Sequence, residues 1–447
     1  MRHTRTVFCL AGTLPLLAAI PAAGQEPNPY GRFTFSQEFR LSDNPDLDVA
    51  SSGSTLTART GLGFEFGSET RVQTLRLSLG TDLEGRFGDD AEDYDFVNDR
   101  ARLTFAREGK NAGVDLSAQY NNTPLDDIEI GDEIDPDFFV IDGGRRERKS
   151  VSLGFDIGRV SRTSFEFDLR WTDTDYVGTL DPELVDSETI DLDARAGFAL
   201  TRSLNASVLA GLQETDEAGG VTRETSYVGL GLNGETRGGF TFSGDLTYDR
   251  AETIGGADPK SEDGVGFNLA FTKDRPLGPY SLTLGSRIDE AGRRSSISLG
   301  RDMELPRGAF SWSVGVTDYD DSDPGLTGKL SWSQETRDGV FSANLSRTQK
   351  PNDSAPAADT RIGLSYKGDL TEVSRWGASL DYIAEDELNG NDDASRTSAS
   401  VTYSRDLTRD WSLNTGYEYT RVDPATGQDR DSNAVFVNIQ RDMTFGF

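Results

Sequence analysis

From Tyr30 to the C-terminus, apolar and polar residues alternate with a period of two. Phe33, Phe35, Phe39 and Leu41 share one parity in the first segment, and Leu56, Ala58, Leu62, Phe64 and Phe66 do so in the second. Leu75, Leu77, Leu79 and Leu83 carry the pattern on, and it recurs through segments such as Phe165/Phe167/Leu169/Trp171 and Val265/Phe267/Leu269/Phe271. Side chains of a strand point alternately to its two faces, so each segment predicts a strand with one apolar face. About 22 such strands can be read, with 20 and 24 as the neighbouring even counts. The last segment, Asn433–Phe447, places Val435, Val437, Ile439, Arg441, Met443, Phe445 and Phe447 on one face. A soluble sheet rarely ends on such an apolar edge, because it invites aggregation. A closed barrel has no edge, since its last strand pairs with its first.

The links between strands fall into two alternating classes. One is short and usually basic, as in Glu108–Asn111, Arg159–Arg162, Thr201–Ser203, Gly234–Arg237, Arg275–Gly278, Leu305–Gly308, Thr336–Gly339 and Leu407–Asp410. The other is longer and rich in Asp: Phe87–Phe96, Thr123–Glu147, Asp249–Asp263, Asp318–Pro324, Lys350–Asp359, Glu385–Ser395 and Asp423–Asp431. Membrane barrels keep short turns in the periplasm and long loops outside. The pattern therefore predicts an all-β protein, a transmembrane antiparallel up-and-down β-barrel. Mean hydropathy is low, at −0.53, as expected for strands that are only half apolar.

Ahead of the barrel, Arg2 and Arg5 precede an apolar run, Val7–Ala23, that ends in Ala22-Ala23-Gly24. This predicts a signal peptide over 1–24 and a single barrel domain over 25–447. Strands of roughly 19 residues each, link included, use up that length. Only Gln25–Pro29 precede the first strand, so no plug domain is expected and a TonB-dependent transporter is set aside. The leader carries the only Cys (Cys9) and the only His (His3). A mature chain without them has no Ser-His dyad, Cys-His pair or His-ligated zinc. No catalytic residue and no bound cofactor are expected, and the chain is read as no enzyme.

Charge narrows the partners further. Acids outnumber bases 76 to 45, for a net charge of −31, which disfavours nucleic acid. The longest loop holds Asp126, Asp127, Glu129, Asp132, Glu133 and Asp135. Their hard oxygens are candidates for Ca²⁺, although the spacing matches no EF-hand; the alternative is a solvated extracellular loop. On the polar faces of the strands, Arg59, Glu65, Arg76, Asp82, Arg102, Asp115, Asp168, Arg170, Asp193, Arg195, Asp245, Lys329, Arg361, Asp381, Arg405 and Glu418 are expected to line the lumen. They either pair across the wall or set up transverse fields. Trp171, Trp312, Trp332, Trp376 and Trp411 share the outward parity and suit interface belts.

The chain resembles Gram-negative outer-membrane β-barrels from Tyr30 to Phe447. Its Phe445 and terminal Phe447 are similar to the signal read by the barrel-insertion machinery, which that resemblance makes a partner together with membrane lipid and lipopolysaccharide. Arg430-Asp431-Ser432-Asn433-Ala434-Val435-Phe436 looks like the ending of barrels linked to exopolysaccharide and PEP-CTERM systems, the β-barrel porin 2 group. The resemblance implies the cell outer membrane and, more narrowly, exopolysaccharide export components as neighbours. Passive passage of small hydrophilic solutes is the leading expectation, with a modest preference for cations. An export conduit, a structural surface barrel and a carboxylate enzyme are its rivals.

Overall fold

In this computed structural model the described residues are 29–447, less 46, 48, 50–52, 89–92, 126–143, 180–183, 257–258, 321, 351–356, 388–392, 426 and 447. They form 22 strands. The first seven are β1 (Tyr30–Ser42), β2 (Thr55–Glu69), β3 (Gln73–Phe87), β4 (Asp93–Glu108), β5 (Ala112–Pro124), β6 (Arg145–Ile157) and β7 (Thr163–Val177). Then follow β8 (Ser187–Ala199), β9 (Leu204–Glu217), β10 (Val221–Thr236), β11 (Phe240–Ile254), β12 (Lys260–Lys273), β13 (Tyr280–Asp289), β14 (Gly292–Leu305) and β15 (Gly308–Tyr319). The ring is completed by β16 (Gly325–Glu335), β17 (Gly339–Lys350), β18 (Ala357–Thr371), β19 (Ser374–Glu387), β20 (Asp393–Asp406), β21 (Trp411–Asp423) and β22 (Arg430–Gly446).

Each strand pairs antiparallel with its sequence neighbours, and β1 pairs with β22 from Tyr30↔Gly446 to Ser42↔Ala434. The sheet is closed. Following paired residues once around the ring returns the path to β1 displaced by about 26 residues. With ~3.3 Å per residue and ~4.8 Å between strands, that stagger gives a tilt of about 40° and a backbone radius of about 22 Å. The tilt is what a membrane barrel of this size requires. Among the described residues no plug is seen.

The alternation read in the sequence becomes the two faces of the wall. Leu62, Leu79, Val228, Leu230, Leu246, Val401 and Val437 stand exposed on the outside, where only hydrocarbon can cover them. The closing seam depends on Gly31. An added Cβ there would lie 2.2 Å from the Phe445 ring, so the ring rests against bare β1 backbone.

Strands run further into the acidic segments than the sequence suggested. The stretch expected as the loop Asp249–Asp263 is strand up to Ile254 and again from Lys260. Many strands have 13 to 16 residues, against the 9 to 11 that cross a bilayer. The excess extends the wall beyond the membrane. The link between β9 and β10 is accordingly short, and at its Gly219 an added Cβ would meet nothing within 4 Å. A Gly219→Cys variant should react with an impermeant maleimide on intact cells, and Arg337→Cys in the β16–β17 turn should not. Labelling in the opposite sense would invert the barrel.

Candidate functional site

The lumen wall is where this fold can do chemistry. Parity and register place fifteen of the sixteen expected lumen charges on the inner face: Arg59, Glu65, Arg76, Asp82, Arg102, Asp115, Asp168, Arg170, Asp193, Arg195, Asp245, Lys329, Arg361, Asp381 and Glu418. Arg405 is the exception. It shares the face of Val401 and Tyr403 and pairs with Leu413, so it points outward, next to the short β20–β21 turn.

Several inner charges of opposite sign meet along the wall. Arg59 and Arg86 both bind Glu84, whose side chain is only 5% exposed. Arg40 reaches Glu418 at 2.7 Å and Glu38 at 3.4 Å, and Arg100 lies 3.7 Å from Asp82. Further round, Arg195 faces Asp245 at 3.7 Å, Tyr227 donates to Asp193, and Lys350 contacts Glu385 at 2.7 Å and Asp359 at 3.4 Å. Adjacent pairs cancel locally, whereas a transverse field needs the signs on opposite walls. For these residues, pairing along the wall is what the structure shows. Replacing Glu84 by Ala leaves two guanidiniums facing each other in a covered position and should cost about 3 kcal/mol, read as a lower temperature of heat-modifiable unfolding. An unchanged transition would mean that solvent already screens the trio.

A cleft of about 1030 Å³ opens on the arc from β19 through β22 and β1 to β6. Its charge is balanced, with Arg40, Arg59 and Arg100 among Glu38, Asp82 and Glu84. Pro45 and Leu47 of the β1–β2 link also line it, so the described start of that link borders the mouth. Several bonds tie it to β22. Asn44 Nδ2 donates to the Asp431 carbonyl at 3.0 Å, and Asp43 accepts from the Asn433 amide at 2.7 Å and from its Nδ2 at 2.9 Å. Inside the cleft the Arg40 guanidinium stands 5.5 Å from the Phe436 ring, an inward aromatic that the sequence reading passed over.

Across the ring, one hairpin leaves the wall. Only seven residue pairs join β12 to β13, from Phe267↔Ser286 to Lys273↔Tyr280, against fifteen between β10 and β11. Above that point the β13–β14 tip bends inward over β10–β12. Arg287 bonds Asp249 at 3.2 Å and Thr247 at 2.9 Å, and Glu290 lies 3.7 Å from Arg223. Ile288 is buried, 3.1 Å from where a Cβ on Gly264 would stand. Arg293 spans the gap, donating to the Val265 carbonyl at 3.0 Å and to Ser286 at 3.1 Å. Asp249 anchors the arrangement at 2% exposure. Gly266 makes room for it, because a Cβ there would lie 2.0 Å from the carboxylate.

Sequence parity already marks Tyr227, Asp249 and Arg287 as inward. The bend that brings them together leaves no local signal. The Ca²⁺ candidates Asp126, Asp127, Glu129, Asp132, Glu133 and Asp135 lie outside the described residues, as does Phe447. Phe445 is on the outer face, 41% exposed. The five Trp also face outward: Trp312, Trp332, Trp376 and Trp411 near the strand ends that carry the short turns, and Trp171 toward the opposite end, where its indole N–H donates to Glu188 at 2.7 Å.

No protein-family model matches the sequence, and no curated protein is similar to it. Solved structures do match. The ferric enterobactin receptor of Pseudomonas aeruginosa aligns with a TM-score of 0.59 at 10% identity, over 94% of this chain and 81% of that one. The copper transporter OprC gives 0.56 at 13% identity, over 92% and 80%. The FrpB iron transporter of Neisseria meningitidis gives 0.58 at 9%, over 94% and 83%. At such identities the likeness carries the fold alone, a closed antiparallel β-barrel shared with these receptors and transporters.

Proposed function

We propose that the chain is an outer-membrane channel for passive passage of small hydrophilic solutes, with a modest preference for cations. The observation that carries this reading is the width of the closed ring, whose inner charges pair in part along the wall. A ring of about 22 Å backbone radius leaves ample width for water, and several of its inner charges, Glu84, Asp82 and Glu418 among them, are already held by arginines on the wall. The acidic excess of the chain, −31 overall, supplies the cation preference. Transport by the structural neighbours supports a transport role; their iron and copper cargoes belong to those proteins. The bent β13–β14 hairpin and the folded β1–β2 link set the width of the path.

Purified protein in planar bilayers should conduct and favour K⁺ over Cl⁻. The preference should fade as salt rises from 0.1 M to 1 M, because the screening length falls from about 10 Å to about 3 Å. Well-folded protein that does not conduct would overturn the channel reading. A preference for Cl⁻ would show that the lumen arginines, and not the acidic excess, govern the path.

A further inference from the structure

Two arginines on the lipid-facing wall stack on aromatic rings and, among the described residues, have no anion of their own. Arg301 of β14 shares the outward face of Leu299, and the register sets it between Tyr280 on β13 and Trp312 on β15. Its guanidinium stands 4.3 Å from the Tyr280 ring centroid. Arg441 of β22 shares the face of Ile439 and pairs with Trp411 on β21, 5.4 Å from that ring. In both, Nε is covered by neighbouring atoms and donates to nothing. Neither makes an ion pair among the described residues.

Outward charges at the opposite end of the wall behave differently. Lys149 holds Asp173 at 2.9 Å and Asp175 at 3.0 Å, and Arg347 holds Asp386 at 2.7 Å. There the protein supplies both signs. Near the periplasmic end it supplies the cation and an aromatic plate, and leaves the anion out. Arg301 lies four residues from the end of β14, and the turn is about 10 Å away along the barrel axis at this tilt. That depth coincides with the outward aromatic girdle, marked by close ring pairs at Trp332–Phe341 (5.3 Å) and Tyr366–Trp376 (4.9 Å). Such girdles sit at the headgroup boundary.

We propose that Arg301 with Tyr280, and Arg441 with Trp411, are two sites for the phosphate of phospholipids in the inner leaflet of the outer membrane. A guanidinium stacked on a ring is held in one plane, with its edge donors turned toward an anion. Phosphate accepts two of those donors in parallel, which an ammonium cannot match. The long side chain reaches from the apolar wall to the headgroup plane. Arg405, exposed and outward one strand from Trp411, adds positive charge beside the second site. The inference rests on the barrel spanning the membrane and not on what passes through its lumen, so it stands or falls apart from the channel reading.

The test is native mass spectrometry of the full-length barrel in a non-ionic detergent, titrated with phosphatidylglycerol. The wild type should retain two lipids at low concentration, and Arg301→Gln and Arg441→Gln one each. Arg301→Lys should still bind, with an apparent Kd raised about tenfold. Heat-modifiable migration reports folding. If Arg441→Gln disturbs the last strand and fails to assemble, Arg301→Gln, remote from the chain terminus, still decides the matter. Equal retention by wild type and Arg301→Gln would overturn the proposal, as would a wild type that keeps no lipid. Displacement of phosphatidylglycerol by lipid A at equal concentration would overturn the assignment to the inner leaflet. As a second readout, brominated phosphatidylglycerol should quench tryptophan emission less in Arg441→Gln than in the wild type.

Discussion

Chains lacking Phe447, or carrying Phe445→Asp, should reach the periplasm and leave almost no heat-modifiable protein in the outer membrane. Phe445 faces outward beside Gly31, where the first and last strands meet. An aspartate there would set a charge against lipid on the strand that completes the ring, at a cost that rises from roughly 1 kcal/mol near the interface toward 2–4 kcal/mol at the bilayer centre. Deleting Phe447 removes the terminal aromatic that insertion is expected to read. Outer-membrane levels equal to wild type in both variants would mean that neither residue matters for assembly. A loss in Phe445→Asp alone would assign the effect to the seam.

Asp249→Ala should widen the pore. The carboxylate accepts from Arg287 and, at 3.4 Å, from the backbone amide of Ile288, and it is the buried fixture against which the β13–β14 tip rests. Removing it strands Arg287 beside the inner wall, with a penalty of about 3 kcal/mol for the lost partner. The tip then has reason to return to the wall, where Arg287–Asp289 can pair with Gly264–Gly266. Single-channel conductance should rise, and the unfolding temperature should fall. A folded variant with the conductance of wild type would show that the tip does not limit the path. Gly266→Val attacks the same contact from the other side, since its side chain collides with the carboxylate, and should give the same direction of change.

Much of this architecture is legible in the chain itself. All 22 segments of alternating parity are strands, because a lipid-facing row tolerates few polar residues and the period-two signal survives wherever one face meets hydrocarbon. Strand ends were harder to read. Beyond the membrane the outer face also turns polar, as at Lys149, Asp173 and Glu252, so alternation fades while the hydrogen-bond ladder continues. The pairing of Arg59 and Arg86 on Glu84 depends on which residues of β2 and β3 stand opposite one another, and register follows from turn geometry more than from the polar face. The inward hairpin was hidden altogether. Nothing in Ser286–Gly292 distinguishes a tip that bends from one that stands upright; the cause is a contact with Asp249, some forty residues earlier.

The closure of β1 on β22 has a consequence for how the chain folds. Twenty-one of the strand pairings join segments adjacent in sequence, so each closes a short loop. The last joins residues separated by some 400 positions, as Thr34 and Asp442 are. Loop-closure entropy for a span of that length is about 5 kcal/mol, against about 2 kcal/mol for a ten-residue link. Almost all the non-local cost of this topology therefore falls on a single step, which cannot be taken until the final strand has emerged. Until then two edges with unpaired amides and carbonyls face whatever surrounds them. Hairpins should acquire hydrogen-exchange protection early and in any order, and the amides shared by β1 and β22 should acquire it last.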